Sequence, residues 1–152
     1  MSQQISEYDY CEAMKLDNQL CFPLYAAARK VTALYTPWLK ELGLTYTQYV
    51  ALLVLWERGE VKVGELCERL MLDNGTVSPM LAKMERAGWV RRTRSADDER
   101  VVVVTLTGEG RALQEKAKDV PLHVAGCIPL PEEKARVLYD LLYELLGDLD
   151  NQ

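Results

Sequence analysis

The chain has 152 residues, is 49% hydrophobic and carries a formal net charge of −5, so it is long enough to bury one core and too apolar to be disordered. No apolar run reaches the roughly 18 residues of a membrane span, and the polar Met1–Glu7 offers no signal-peptide core, so a cytoplasmic protein without a membrane partner is expected. Four cysteines without CxxC spacing and a lone His123 give no zinc pattern, so neither a metal nor a cofactor is expected.

In chain order, residues 1–13 read as a polar extension without sustained periodicity, and Cys11 is assigned no role. From Leu16 to Leu39 the residues Leu20, Leu24, Ala27, Ala28, Val31, Leu34 and Trp38 form a stripe that predicts a long helix. Pro23 leaves the start of this helix open. A cap at Asp17 would put the proline inside and remove a backbone bond, unless the helix bends or starts later. Cys21 lies early in the helix, where the N-terminal dipole favours a thiolate; a buried small hydrophobe is the alternative reading. Tyr25, Tyr35, Tyr46 and Tyr49 follow, and a buried phenol needs a polar partner, which a thiolate could be.

Gly43 ends this region, Thr47 can cap a helix over 48–57, and Tyr49, Leu52, Leu53 and Trp56 form its apolar face. Next, Val63, Leu66, Cys67 and Leu70 fall at i, i+3, i+4 and i+7 on one face of a short helix, which makes Cys67 structural. Asp73 is placed to cap a second helix with Val77, Met80, Leu81 and Met84 inward. Its other side carries Thr76, Pro79, Lys83 and Arg86, with Ser78 at the flank. Short hydroxyls allow close approach to a DNA groove, and long cations reach phosphates. Gly88 ends the helix; Trp89–Arg94, the charged turn Ser95–Arg100 and Val101–Thr105 then make a β-hairpin.

Helix, helix and hairpin in this order read as a winged helix-turn-helix, although the same order also occurs where the amphipathic faces are only core. Charge placement favours DNA. Lys83, Arg86, Arg91, Arg92 and Arg94 against Glu85 give a local +4, leaving −9 on the rest of the chain. A basic island in an acidic chain suits a docking face, with Thr76, Ser78, Pro79, Lys83, Arg92 and Arg94 as candidate contacts.

Beyond the hairpin, Thr107 begins a helix to about residue 120 with Leu113, Ala117 and Val120 inward, and Pro121 interrupts it. Gly126–Pro131 reads as a non-helical joint holding Cys127. Pro131 opens a last helix with Leu138, Leu141, Leu142, Leu145 and Leu149 in a dense stripe, which suggests dimerisation, with packing inside the chain as the alternative. The expected fold is mainly α with a small β-hairpin wing in one domain over 1–152. Dimerisation helices are expected at about 14–40 and 107–149, and a DNA-binding winged helix-turn-helix lobe at about 48–106.

Four blocks in order carry a resemblance: Leu16-Asp17-Asn18-Gln19-Leu20-Cys21-Phe22, Thr45-Tyr46-Thr47-Gln48-Tyr49, Leu72 to Leu81, and Asp98-Glu99-Arg100 before the Val run and Leu106-Thr107. Over roughly residues 14–148 the chain resembles the MarR family of bacterial regulators, and within it the organic hydroperoxide resistance regulators (OhrR). The resemblance implies a non-enzymatic homodimeric repressor on a pseudo-palindromic double-stranded DNA operator. Its recognition helices would enter successive major grooves, while Arg100 reaches the minor groove and Asp98 holds it.

The resemblance further implies that Cys21 reacts with organic hydroperoxide and that Tyr35 and Tyr46 match the tyrosines that hydrogen-bond its sulfur. Cys127, at the joint before the last helix, would match the resolving cysteine of the two-cysteine type, capturing oxidised Cys21 between subunits and releasing the operator. Two other functions fit the chain less fully. One is a repressor released by a small phenolic or lipophilic ligand, with the tyrosines and Trp38 lining a pocket. The other is a thiol peroxidase using both cysteines, which leaves the basic wing unexplained.

Overall fold

The computed structural model describes residues 10–151, so the first nine residues of the extension expected over 1–13 lie outside the described residues. The chain divides into two compact units at Val120–Pro121.

The first unit begins with a one-turn helix α1 (Tyr10–Ala13), which carries Cys11, and a 3-10 turn over Leu16–Asn18. Helix α2 (Cys21–Leu34) starts at Cys21, so Pro23 falls in the first turn. Backbone N–H groups there have no intrahelical acceptor, and the proline removes no helical bond. The helix expected through Leu39 is in fact two: Tyr35 closes α2, and α3 (Thr36–Glu41) begins with Pro37 in its first turn. A proline at that position cannot donate into a continuing helix. No residue of α2 is buried, and Leu20, Phe22, Tyr25 and Val31 along this stretch are exposed.

Helix α4 (Tyr46–Arg58) is capped by Thr45, not Thr47. The Thr45 hydroxyl accepts from the Gln48 amide at 3.3 Å and the Gln48 side-chain carbonyl accepts from the Thr45 amide at 2.9 Å, a reciprocal capping box. Tyr49, Ala51, Leu52, Val54 and Leu55 are buried. Leu53 is exposed, because the buried face of α4 is centred on 51–52 and 54–55 and leaves 53 outside it.

After Gly59 (φ 79°), a strand β1 (Glu60–Lys62) appears that the sequence reading did not anticipate. Helices α5 (Val63–Leu70) and α6 (Asn74–Arg86) follow, then strands β2 (Val90–Arg94) and β3 (Val102–Leu106). The wing is therefore a three-stranded antiparallel sheet in the order β1-β3-β2, with Val104 paired to Val61 on one side and to Arg92 on the other. Its third strand begins at Val102, one residue later than expected. Leu39, Leu52, Leu55, Leu66, Val77, Leu81, Met84, Val90 and Val104 form a core in which none is more than 2% exposed. Each contributes roughly 1.5–3 kcal/mol of apolar burial, which fixes α6 against the sheet.

Helix α7 (Gly108–Ala117) is capped by Thr107, whose hydroxyl accepts from the Gly110 amide at 3.1 Å. A Cβ on Gly110 would lie 2.0 Å from the Trp89 carbonyl oxygen, so only glycine lets α7 approach the base of β2. Helix α7 ends at Ala117, short of the expected residue 120.

Helix α8 (Val120–Cys127) opens with Pro121 in its first turn, so that proline starts a helix rather than interrupting one. Cys127 is the last residue of α8, and the joint shrinks to residues 128–131. In the second unit, α9 (Glu132–Asp150) has Pro131 at its N-cap and no buried residue; Leu138, Leu141 and Leu149 of the leucine stripe are exposed. No helix among the described residues is long and apolar enough to cross a membrane.

Candidate DNA interface and sensing thiols

The outward face of α6 is organised by its cap. The Asp73 carboxylate accepts from the Thr76 amide and from the Thr76 hydroxyl, both at 2.9 Å, and the Ser78 hydroxyl donates to the Asn74 side-chain oxygen at 2.7 Å. These bonds, the Thr76 hydroxyl first and its amide second, hold the Asp73 carboxyl below the usual carboxylate range. Thr76, Pro79, Lys83 and Arg86 are exposed and Ser78 is half-buried. Pro79 stands inside the helix, where a proline costs about 3 kcal/mol, yet it adds nothing to the core. A local rule broken on an exposed face is a signature of a working surface.

On the wing, the Asp98 carboxylate accepts from the Arg100 amide at 3.0 Å and from its Nε at 3.2 Å. The Arg100 side chain remains 92% exposed, held at its base and free at its tip. Arg94 donates to the Glu99 carbonyl at 3.3 Å. Arg92 is engaged differently. Its guanidinium donates to the Glu85 carboxylate of α6 through Nε at 3.0 Å and a terminal nitrogen at 2.9 Å, and its own amide donates to the other Glu85 oxygen at 2.8 Å. Sequence reasoning listed Arg92 as a candidate DNA contact and counted Glu85 only as a charge, without pairing the two. The available signal was a lone acid in the last turn of a helix, where the dipole disfavours it.

Between α5, α6 and β3 lies an open cleft of about 770 Å³, to which Lys62, Cys67, Asn74, Ser78, Arg92 and Arg100 contribute. Burial pushes the Cys67 thiol up, with the nearby Asp73 charge adding to it, which favours the protonated form.

The two cysteines singled out for redox chemistry are both exposed and free, Cys21 as the first residue of α2 and Cys127 as the last of α8. Tyr35 and Tyr46 come together, their rings edge-on at 5.1 Å, and Tyr35 lies 5.7 Å from Tyr49. Burial raises the Tyr46 phenol, with repulsion from Tyr35 adding to it. Burial, Tyr35 and Tyr46 together push Tyr49 up to about 12. Tyr46 and Tyr49 therefore stay neutral near pH 7, as donors must. The structure does not bring Tyr35 to Cys21 within one chain. The two stand at opposite ends of α2, about 20 Å apart at 1.5 Å per residue.

Against known proteins, residues 44–102 match the model of the MarR family. The chain is 47% identical over 136 residues to the organic hydroperoxide resistance transcriptional regulator of Bacillus subtilis, spanning 90% of this chain and 92% of that one. Among solved structures it resembles reduced AbfR bound to DNA, a Staphylococcus epidermidis protein, with a TM-score of 0.76 and 35% identity over 92% of this chain and 98% of that one. It also resembles the disulfide form of AbfR, with a TM-score of 0.62 and 34% identity over 94% and 97% of the two chains.

Proposed function

Because this chain belongs to the MarR family, we propose that it is a redox-sensing transcriptional repressor released from DNA by organic hydroperoxide, with Cys21 as sensor and Cys127 as resolving thiol. The observation that carries the reading is Cys21 itself: an exposed thiol at the first position of a helix, in a chain 47% identical to a hydroperoxide resistance regulator.

The repressor acts as a homodimer. The uncovered apolar side chains of α2 and α9 are what a second copy would bury. In the dimer the two α6 helices enter major grooves about 34 Å apart, with Thr76, Ser78, Pro79 and Lys83 toward the DNA and Arg100 in the flanking minor groove.

Cys21 supplies the chemistry. Its thiolate attacks the terminal oxygen of the hydroperoxide, the O–O bond breaks, and the alcohol leaves with a proton, so that sulfur is oxidised to the sulfenic acid as the peroxide is reduced. Cys127 then attacks that sulfur and expels water, forming a disulfide. Because Tyr35 is a helix length from Cys21, the phenol that steadies the thiolate comes from the partner subunit, its α2 packed antiparallel. A disulfide needs Cα atoms within about 7 Å, so if the two cysteines start farther apart, forming it must move backbone, which would shift the half-site spacing. One hydroperoxide is consumed per Cys21 in each switching event, so the protein is a sensor and not a turnover enzyme. It works in the cytoplasm, where thiol reductants reset it.

The test is selection of an operator from random DNA by the reduced protein, followed by cumene hydroperoxide and then dithiothreitol. Release by the peroxide and rebinding on reduction are expected. Release by a phenolic ligand with all thiols still free would overturn the reading.

A further inference from the structure

Strand β2 is an edge of the wing sheet, so some of its backbone N–H groups find no partner in β3. The Arg92 amide is taken by Glu85, and the same carboxylate also receives two bonds from the Arg92 guanidinium. Glu85 lies in the last turn of α6, immediately before the chain reverses at Gly88 (φ 83°) into Trp89 and β2. Bonding from the Arg92 amide first, and its guanidinium second, holds the Glu85 carboxyl below the usual carboxylate range, so the acid is charged near pH 7. Recognition helix and wing are thus joined by three hydrogen bonds on top of their apolar contact.

We infer that Glu85 is a positioning residue of the DNA interface, which uses Arg92 as a brace to fix the wing's angle to α6 so that Arg100 and the α6 face engage one duplex together. The inference rests on the DNA-binding reading above and assigns Arg92 away from phosphate contact. The fork geometry supports it. Both the Nε and one terminal nitrogen of Arg92 are occupied by one carboxylate oxygen, and both side chains are only about a third exposed, at 31% and 35%. The Nε edge of the guanidinium, the edge that forks onto a carboxylate or phosphate, is thereby already taken, and the Glu85 charge offsets its cation.

The experiment measures operator and non-specific DNA affinity of wild type, Glu85→Ala, Arg92→Ala and the double variant across a salt series. The brace predicts that each single variant loses operator affinity on the order of tenfold, the scale of one misaligned base contact. The double variant should be no worse than either, and the slope of log K against log salt should stay unchanged. Glu85→Gln keeps an acceptor for the Arg92 amide and should lose less. If the alanine variants melt early, Glu85→Gln and Arg92→Lys carry the same test, each with a loss at unchanged slope. A tighter-binding Glu85 variant, additive losses, or an Arg92 variant whose slope drops by about one counterion would make Arg92 a phosphate contact and overturn the brace. A wild type that binds no DNA would instead overturn the DNA-binding reading, and the brace with it.

Discussion

Cys21 and Tyr35 bound the two ends of α2, with the helix's 14 residues setting them about 20 Å apart. A hydrogen bond from that phenol to that sulfur can therefore form only between subunits. On the proposed reading, each thiol would then be tuned by the other chain, and sensing would belong to the dimer.

Tyr35→Phe should accordingly slow Cys21 oxidation about tenfold, the weight of one hydrogen bond to a charged group. A mixed dimer of one Cys21→Ser subunit and one Tyr35→Phe subunit discriminates the two arrangements. Its single Cys21 should react at the wild-type rate, because the Tyr35 opposite it is intact. A rate as slow as the Tyr35→Phe homodimer would place the bond within one chain.

Cys21→Ser should bind operator as tightly as wild type and stay bound when cumene hydroperoxide is added. Cys127→Ser should instead be oxidised and stop at a sulfenic acid or a mixed disulfide. Dimedone labelling with intact mass measurement reads the first species. A covalent dimer of peroxide-treated Cys127→Ser on a non-reducing gel would remove Cys127 from the resolving role.

Arg100→Ala should weaken operator binding by about 1–3 kcal/mol, the range for a specific base contact. Asp98→Ala should lose less, because it frees the Arg100 base without removing the cation. Titration by fluorescence anisotropy at fixed salt measures both. Equal affinities for wild type and Arg100→Ala would take the wing tip out of the interface.

Much of the DNA lobe was legible in the sequence. Val77, Met80, Leu81 and Met84 are all buried as their spacing required, Asp73 caps α6, and Gly88 reverses the chain after it. Strand β1 was not legible, because three residues with one buried position carry too little periodicity to stand out from a helix cap. Thr45 was a missed signal. A Thr with a Gln three residues later is a capping box, and Thr47 lacks that partner. Pro121 looked like an interruption and Pro23 left the start of α2 open, because a proline removes no helical bond only in the first turn, which is where both fall. The pairing of Arg92 with Glu85 lies across the Gly88 reversal. A charge count sees both residues but not that they cancel.

Asp73 gives the α6 cap a pH dependence. Its folded-state value lies below the ordinary one, so its contribution is present above the ordinary carboxylate range and is lost as pH falls through the depressed value. Melting curves from about pH 5 to about pH 2 should show wild type losing more stability than Asp73→Asn, which keeps a cap without a titrating charge. Parallel curves would mean the Thr76 bonds add nothing to folding.

The most direct measurement takes one wild-type sample, adds one equivalent of organic hydroperoxide per Cys21, and follows operator binding alongside non-reducing electrophoresis and peptide mapping. The account predicts that binding falls in step with a Cys21–Cys127 disulfide joining two subunits, and that dithiothreitol reverses both. Operator binding that persists with that disulfide fully formed would contradict it.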